Sequence, residues 1–149
     1  MLIGVIIVIG ILLLDQITKL VIVAQIPYGT NIEVIKGFFS ITHRVNDGAA
    51  WSVFSGQMTL FYIITVVALV IFAYYFKDIN FKTKKMYSIG ISLLIAGTLG
   101  NFVDRVRIKG VIDFLDFNIF GYDFPVFNVA DSALNVGLVL FMIAVFIYE

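Results

Sequence analysis

Four long apolar runs constrain this chain more than any other feature. Leu2 to Ala24, Met58 to Phe76, Met86 to Val103 and Val129 to Tyr148 each approach the roughly 20 residues a helix needs to cross about 30 Å of hydrocarbon. Inside lipid the backbone must satisfy its own polar groups, so such runs are expected as helices. The composition agrees: 61% of the residues are hydrophobic and mean hydropathy is +1.05. A water-soluble domain of 149 residues does not hide that much apolar surface. One integral membrane domain over residues 1–149 is expected, all-α in the membrane with a small β element. The first run mimics a cleaved leader only loosely. It has no basic start and no A-x-A site, and the apolar stretch resumes after Lys19, so a retained helix is expected.

The segments between the runs carry the rest of the organisation. In 25–57 a turn signal, Pro27-Tyr28-Gly29, is followed by Phe39, Ile41 and Val45 alternating with Ser40, Thr42 and Arg44. That period of two reads as a strand, closed by the turn signal Asn46-Asp47-Gly48. A small sheet at the membrane surface follows. The loop after the second helix holds Lys77, Lys82, Lys84 and Lys85, which marks it as cytoplasmic by the positive-inside rule. Both termini then lie inside, and 25–57 and 104–127 lie outside. Lys36, Arg44, Arg105, Arg107 and Lys109 weigh against this. On either orientation the chain leaves the bilayer near Asp104 and re-enters near Asp131 with Asp113 on the connection, so three acids are held at one membrane face.

Subtraction narrows the chemistry. There is no cysteine, hence no disulfide, thiolate nucleophile, Cys-ligated zinc or iron–sulfur cluster. The one histidine is His43, so a His-rich metal site is excluded and a Ser–His–Asp triad would have to run through it. Formal net charge is zero, which makes nucleic acid a poor partner. Carboxylates, Lys, Arg, Ser, Thr, Tyr and Asn remain.

Five constellations stand out, each with a plainer reading beside it. Asp15 and Lys19 in Asp15-Gln16-Ile17-Thr18-Lys19 share a helix face at i,i+4. An internal ion pair that fixes packing explains them; a substrate contact from Lys19 is the sharper reading. Asn46-Asp47-Gly48-Ala49-Ala50-Trp51 combines an amide, a turn and an aromatic, and a turn with an interfacial Trp accounts for most of it. Gly97, Gly100, Asn101, Asp104 and Arg105 end the third helix. Close packing at the glycines and a helix-end Asp–Arg pair account for them. Asp113, within Gly110-Val111-Ile112-Asp113-Phe114, and Asp131, within Phe127-Asn128-Val129-Ala130-Asp131-Ser132, differ in kind, because both sit among apolar neighbours. If they meet they cannot both ionise cheaply, and the pair shares a proton. One carboxylate then takes a proton from water while the other, protonated, polarises a carbonyl. Helix-start capping by Asp131 with Asn128 is the plainer reading.

In this order and spacing, D-Q-x-T-K, N-x-G-A-A-W, G-x-x-G-N-x-x-D-R, G-V-I-D-F and F-N-x-A-D-S resemble the lipoprotein signal peptidases, the bacterial type II signal peptidases. The resemblance runs from Asp15 to Gly137 with no departure inside the motifs. The sequence stops at Glu149 without the basic tail many relatives carry, which leaves the charge count for topology thin. The resemblance implies a four-transmembrane-helix bundle with a small extracytoplasmic β-sheet cradle, in the bacterial cytoplasmic membrane. It implies aspartyl endopeptidase activity that removes the signal peptide from diacylglyceryl-modified prolipoproteins, just before the lipidated Cys. The catalytic pair falls on Asp113 and Asp131. Asp15, Lys19, Asn46, Gly48, Asn101, Asp104, Arg105, Asn128 and Ala130 match positions that shape or support the site. No metal or organic cofactor is implied, and globomycin-like cyclic peptides are the expected inhibitors. The segments 25–57 and 115–125 are expected to clamp the signal peptide and close as a lid.

Two other classes share the composition. A small proton-coupled transporter would also have four helices and few membrane carboxylates, but its site belongs near the bilayer midplane, between repeats, and no repeat is visible. A non-catalytic scaffold would use the charges only to lock helices.

Overall fold

The computed structural model describes residues 1–48 and 54–148. Among the described residues four helices form: α1 (Leu2–Gln25), α2 (Met58–Phe76), α3 (Lys85–Ile108) and α4 (Val129–Tyr148). All four are long and apolar enough to cross a membrane. Ala49, Ala50 and Trp51, from the second motif, lie outside the described residues.

α3 is the central helix. Each of the other three packs against it, and half of its apolar window is buried, against 11% for α2 and 17% for α1. Glycines make the close approach possible. A Cβ on Gly97 would strike the carbonyl oxygen of Ala130, and one on Gly100 would lie 2.7 Å from Asp15 Oδ2. α3 is thereby pressed onto α4 and α1 at the level where the polar residues collect. The outward faces of the other helices are apolar and about half exposed, as at Ile6, Leu13 and Ile17, Ile63 and Val66, and Leu138 and Val139. Lipid accepts such a surface. Asp15, Lys19, Asn101, Asp104 and Asn128, in contrast, are buried.

A four-stranded antiparallel sheet, in the order β1-β2-β3-β4, caps one end of the bundle. Its strands are β1 (Asn31–Ile35), β2 (Phe39–Asn46), β3 (Val111–Ile119) and the short β4 (Tyr122–Asp123). β2 is the strand that the alternation of Phe39, Ile41 and Val45 announces. Its register with β3 sets Phe39 opposite Phe117, Arg44 opposite Asp113 and Asn46 opposite Val111, with a register shift between Ile41 and Arg44.

Two features depart from the sequence reading. α3 does not end at Val103 but runs on to Ile108, where Lys109 closes it in the left-handed region at φ 55°. Arg105 and Arg107 in the last turn suit the negative end of the helix dipole, so Asp104 and Arg105 lie within the helix, about one turn before its end, rather than closing it. The segment 104–127 also contains β3. Its first four residues, Val111 to Phe114, are all buried, because Ile112 and Phe114 pack on Ile22 of α1 and on Ile26 just after it while Val111 and Asp113 face a cleft. A strand covered on both faces loses the alternation that would betray it.

If the glycine contact governs the packing of α3 on α4, Gly97→Ala should lower the melting temperature in detergent by several degrees, an overpacking loss of about 1–3 kcal/mol. Gly10→Ala on α1, where a Cβ meets nothing within 4 Å, should leave it unchanged or slightly higher. Equal melting temperatures for the two variants would show that the contact carries no such weight.

Candidate active site

The site begins with a lysine that cannot reach water. Lys19 Nζ lies 2.9 Å from Asp15 Oδ2, one helical turn earlier, and 2.9 Å from Asp104 Oδ2 on α3. All three side chains are at most 1% exposed. Buried charges survive only when paired and hydrogen-bonded, and the remaining lone pairs here are taken. Asp15 Oδ1 accepts the Ala130 N–H at 2.9 Å. Asp104 Oδ2 accepts the Ile112 N–H at 3.2 Å. Gln16 Nε2 donates to Asp15 Oδ2, to Asp104 Oδ1 and to the Gly100 carbonyl. α1, α3, β3 and the first turn of α4 are thus tied to one knot of charge. Gln16 was visible in the first motif, but its position next to Asp15 gives no hint that it spans both acids.

The knot has a polarity. Lys19 Nζ donates to Asn101 Oδ1 at 3.2 Å. An ammonium only donates, so the amide atom facing it must be the oxygen. Asn101 Nδ2 is then turned to Asp131 Oδ1, at 2.7 Å. Asn128 is fixed in the same way, since its Oδ1 accepts the Asp131 N–H at 2.9 Å. Its Nδ2 is left to donate to Asp113 Oδ1 at 2.8 Å and to Asn101 Oδ1 at 3.2 Å. In return the Asn128 N–H donates to Asp131 Oδ2 at 3.2 Å. This reciprocal pair is a capping box at the start of α4. The capping reading of Asp131 and Asn128 therefore holds, and the same bonds aim Asp131.

Backbone pairing brings Asp113 to this point. Leu115 N donates to the Phe127 carbonyl at 2.8 Å and Phe127 N to the Leu115 carbonyl at 3.1 Å. That bridge fastens β3 to the residue just before Asn128. Asp113 and Asp131 consequently line one cleft of about 590 Å³ together with Asn46, Gly48, Asn101 and Arg105. Asn46 Oδ1 accepts the Gly48 N–H at 2.9 Å, and its side chain also hydrogen-bonds Asp113. The Arg105 guanidinium lies over the Phe61 ring, 4.7 Å from its centre, and its Nε is buried without a hydrogen-bond partner among the described residues. Tyr62 donates to the Arg105 carbonyl at 2.9 Å. The structure thus gathers the sequence-selected residues at one place, with Ala130 buried beneath. It also adds Phe124, Phe127, Ser132 and Asn135 to the cleft wall.

Burial in this wall, followed by the charge of Asp131, pushes the Asp113 carboxyl up from 3.8 to about 7. Hydrogen bonds from Asn128 and Asn46 and the charge of Lys19 pull the other way and lose. His43 takes no part: it is buried, with Nδ1 2.8 Å from the Ile26 carbonyl, and does not line the cleft. Among the described residues no three His, Asp or Glu are arranged to hold a metal ion.

A paired-carboxylate cleft at the end of an apolar helix bundle defines a membrane protein with the groups for acid–base hydrolysis. Comparison with known proteins makes this specific. The family model described as signal peptidase (SPase) II matches residues 7–147. Lipoprotein signal peptidases of Staphylococcus aureus strains MRSA252 and JH9 are each 46% identical over 142 residues, which is 95% of this chain and 86% of each relative. A solved structure described as a bacterial membrane enzyme at 2.3 Å superposes with TM-score 0.88 at 46% identity, covering 96% of this chain and 87% of that one. A second bacterial membrane enzyme, at 1.9 Å, gives TM-score 0.84 at 46% identity, covering 95% and 91%. The chain belongs to the signal peptidase II family and is a membrane peptidase.

The raised Asp113 value sets a stability test. The folded state prefers the protonated acid, so this stabilisation is complete below 3.8, the ordinary value, and is lost as pH rises through about 7. Its size is on the order of a few kcal/mol. Asp113→Asn removes the ionisation. In detergent at pH 8 this variant should melt above the wild type, and the gap should close towards pH 4. A gap independent of pH would contradict the shift.

Proposed function

We propose that this protein is an aspartyl endopeptidase of the bacterial cytoplasmic membrane that removes the signal peptide from diacylglyceryl-modified prolipoproteins, cutting just before the lipidated Cys. The observation that carries the proposal is the joining of Asp113 and Asp131 by one residue, Asn128, which donates to both. Both acids accept two hydrogen bonds, Asp131 from Asn101 and the Asn128 backbone and Asp113 from Asn128 and Asn46. The division of labour therefore follows from burial and from the charge of Asp131 beside Asp113, and Asp131 is the ionised partner and the base. Asp113, held near pH 7 by burial, carries the shared proton.

Asp131 takes a proton from water, and the water oxygen attacks the peptide carbonyl carbon. Asp113 donates its proton to the carbonyl oxygen as the tetrahedral diol forms. Collapse of the diol breaks the C–N bond: the proton now on Asp131 goes to the departing nitrogen, and one diol hydroxyl returns its proton to Asp113, which restores the starting protonation of the pair. The C–O bond formed and the C–N bond broken balance the consumption of one water. Neither a metal nor an organic cofactor enters. Arg105 and Asn46, whose side chains line the same cleft, hold substrate carbonyl oxygens. Asp15, Lys19, Asn101, Asp104, Gly48, Asn128 and Ala130 position the acids.

The lipidated substrate stays in the membrane, so the cleft works at the bilayer surface. The lysines of the α2–α3 loop lie at the cytoplasmic side, which puts both termini inside and the sheet and acids outside. Residues 1–149 act as one peptidase domain. The segments 25–57 and 115–125 clamp the signal peptide as a lid, and globomycin-like cyclic peptides compete for the same cleft.

Incubation with a synthetic diacylglyceryl-modified prolipoprotein should release the signal peptide. Asp113→Asn and Asp131→Asn should each lower kcat by about 100- to 10,000-fold, the range one general acid or base typically contributes, while the protein stays folded. Either variant with near-normal turnover would remove that residue from the pair. The alkaline limb of kcat/KM should fall near pH 7 as Asp113 loses its proton, and a flat profile would argue against acid–base use of the pair. EDTA should leave the rate intact; a large loss would point to a metal.

A further inference from the structure

The cleft does not stop at the acids. It continues along α4, where Ser132, Asn135 and Val136 line it. Ser132 is engaged, its Oγ donating to the Asn128 carbonyl at 3.0 Å. Asn135 is different. It lies one helical turn beyond Asp131, on a stretch whose neighbours Val136, Leu138 and Val139 are apolar and about half exposed. An amide exposed on a bilayer-facing helix carries a solvation penalty that packing there does not require. The helix ties down one of its groups: Asn135 Nδ2 donates to the Asp131 carbonyl at 2.9 Å. That bond holds the nitrogen towards the acids and leaves its second N–H without a partner among the described residues. Phe124, Pro125, Val126 and Phe127 give the same cleft most of its apolar lining.

A free donor in an otherwise greasy slot fits a lipid-soluble group that only accepts, such as an ester carbonyl. The distances suit the proposed substrate. Asn135 is four residues, about 6 Å, down the helix from Asp131. In a diacylglyceryl-modified cysteine the two ester carbonyl carbons lie six and seven bonds from Cα, roughly 7–9 Å when the chain is extended, since tetrahedral angles reduce each bond of about 1.5 Å to an advance of about 1.25 Å. With the scissile bond at the acids, the esters reach the level of Asn135. We propose that Asn135 forms a subsite for the glyceryl ester of the lipidated cysteine, donating its free N–H to an ester carbonyl. This rests on the peptidase reading and names a group that reads its substrate's lipid.

A bilayer phospholipid offers the same ester chemistry, so the test varies the substrate while holding the membrane constant. Two synthetic lipopeptides are compared in one detergent with full-length enzyme. One carries a diacylglyceryl cysteine, the other its dialkyl ether analogue, which lacks both carbonyls. Wild type should favour the diester in kcat/KM by about fivefold, the scale of one hydrogen bond. In Asn135→Leu, at an exposed position, that preference should fall to within about twofold of unity. If wild type cleaves both equally, the peptidase stands and the subsite is overturned. A preference kept undiminished in Asn135→Leu also overturns it, as does a loss of rate equal for both substrates, which would mark a structural or phospholipid-binding role. If wild type cleaves neither lipopeptide, the peptidase reading falls and the subsite with it. The wild-type comparison needs no variant, so a misfolded Asn135→Leu would not rescue the idea.

Discussion

The ion pairs of Lys19 with Asp15 and Asp104 are the constraint on which the remaining structure depends. A lysine at this depth is tolerable only with its partners in place, because removing one member of a buried pair typically costs about 3–5 kcal/mol. Each partner carboxylate also accepts a backbone N–H from elsewhere, Ala130 on α4 and Ile112 on β3. Charge pairing in the bundle therefore fixes the two chain segments that deliver Asp131 and Asp113. It fixes direction as well as place. Because Lys19 can only donate, Asn101 must present its amide nitrogen to Asp131, and a cation buried one residue away decides which atom of Asn101 faces that acid.

The second requirement is that a strand and a helix meet. Asp113 sits on β3 and Asp131 on α4, and side-chain contacts such as Val129 against the cluster that holds Ile112 and Phe114 and Phe117 stacked on Phe127 act together with a backbone link. The Leu115–Phe127 backbone bridge joins them just ahead of the capping box. Meanwhile Ile112 and Phe114 bury the other face of β3 on α1. One short strand thus has three duties, as sheet member, as lid on the helix bundle and as carrier of an acid. The apolar wall it completes also strips water from Asp113, which raises that acid towards neutrality. Fold and acidity share one cause.

Much of this was legible in the sequence, for identifiable reasons. Lipid forces long apolar runs into helices, so α2 and α4 could be bounded closely from hydropathy alone. The i,i+4 spacing announced the Asp15–Lys19 pair, and alternation announced β2. Motif order carried the family. β3 was hidden because burial on both faces erased its alternation, and α3 was cut short because the charges after Val103 read as a loop when they are the last helical turns. The meeting of Asp113 and Asp131 had no sequence signature, since it depends on a backbone bridge that imposes no side-chain pattern. Asn135 went unnoticed for a related reason: a single amide in an apolar run gains meaning only once a cleft is seen to pass it.

The most direct check of the central claim is where the shared proton resides. Infrared difference spectra of the detergent-solubilised protein can follow the C=O stretch of a protonated carboxylic acid as pH is varied. The account expects such a band at pH 6, titrating near pH 7, absent in Asp113→Asn and still present in Asp131→Asn. A band that survives Asp113→Asn and vanishes in Asp131→Asn, or no protonated acid at any pH above 5, would contradict it.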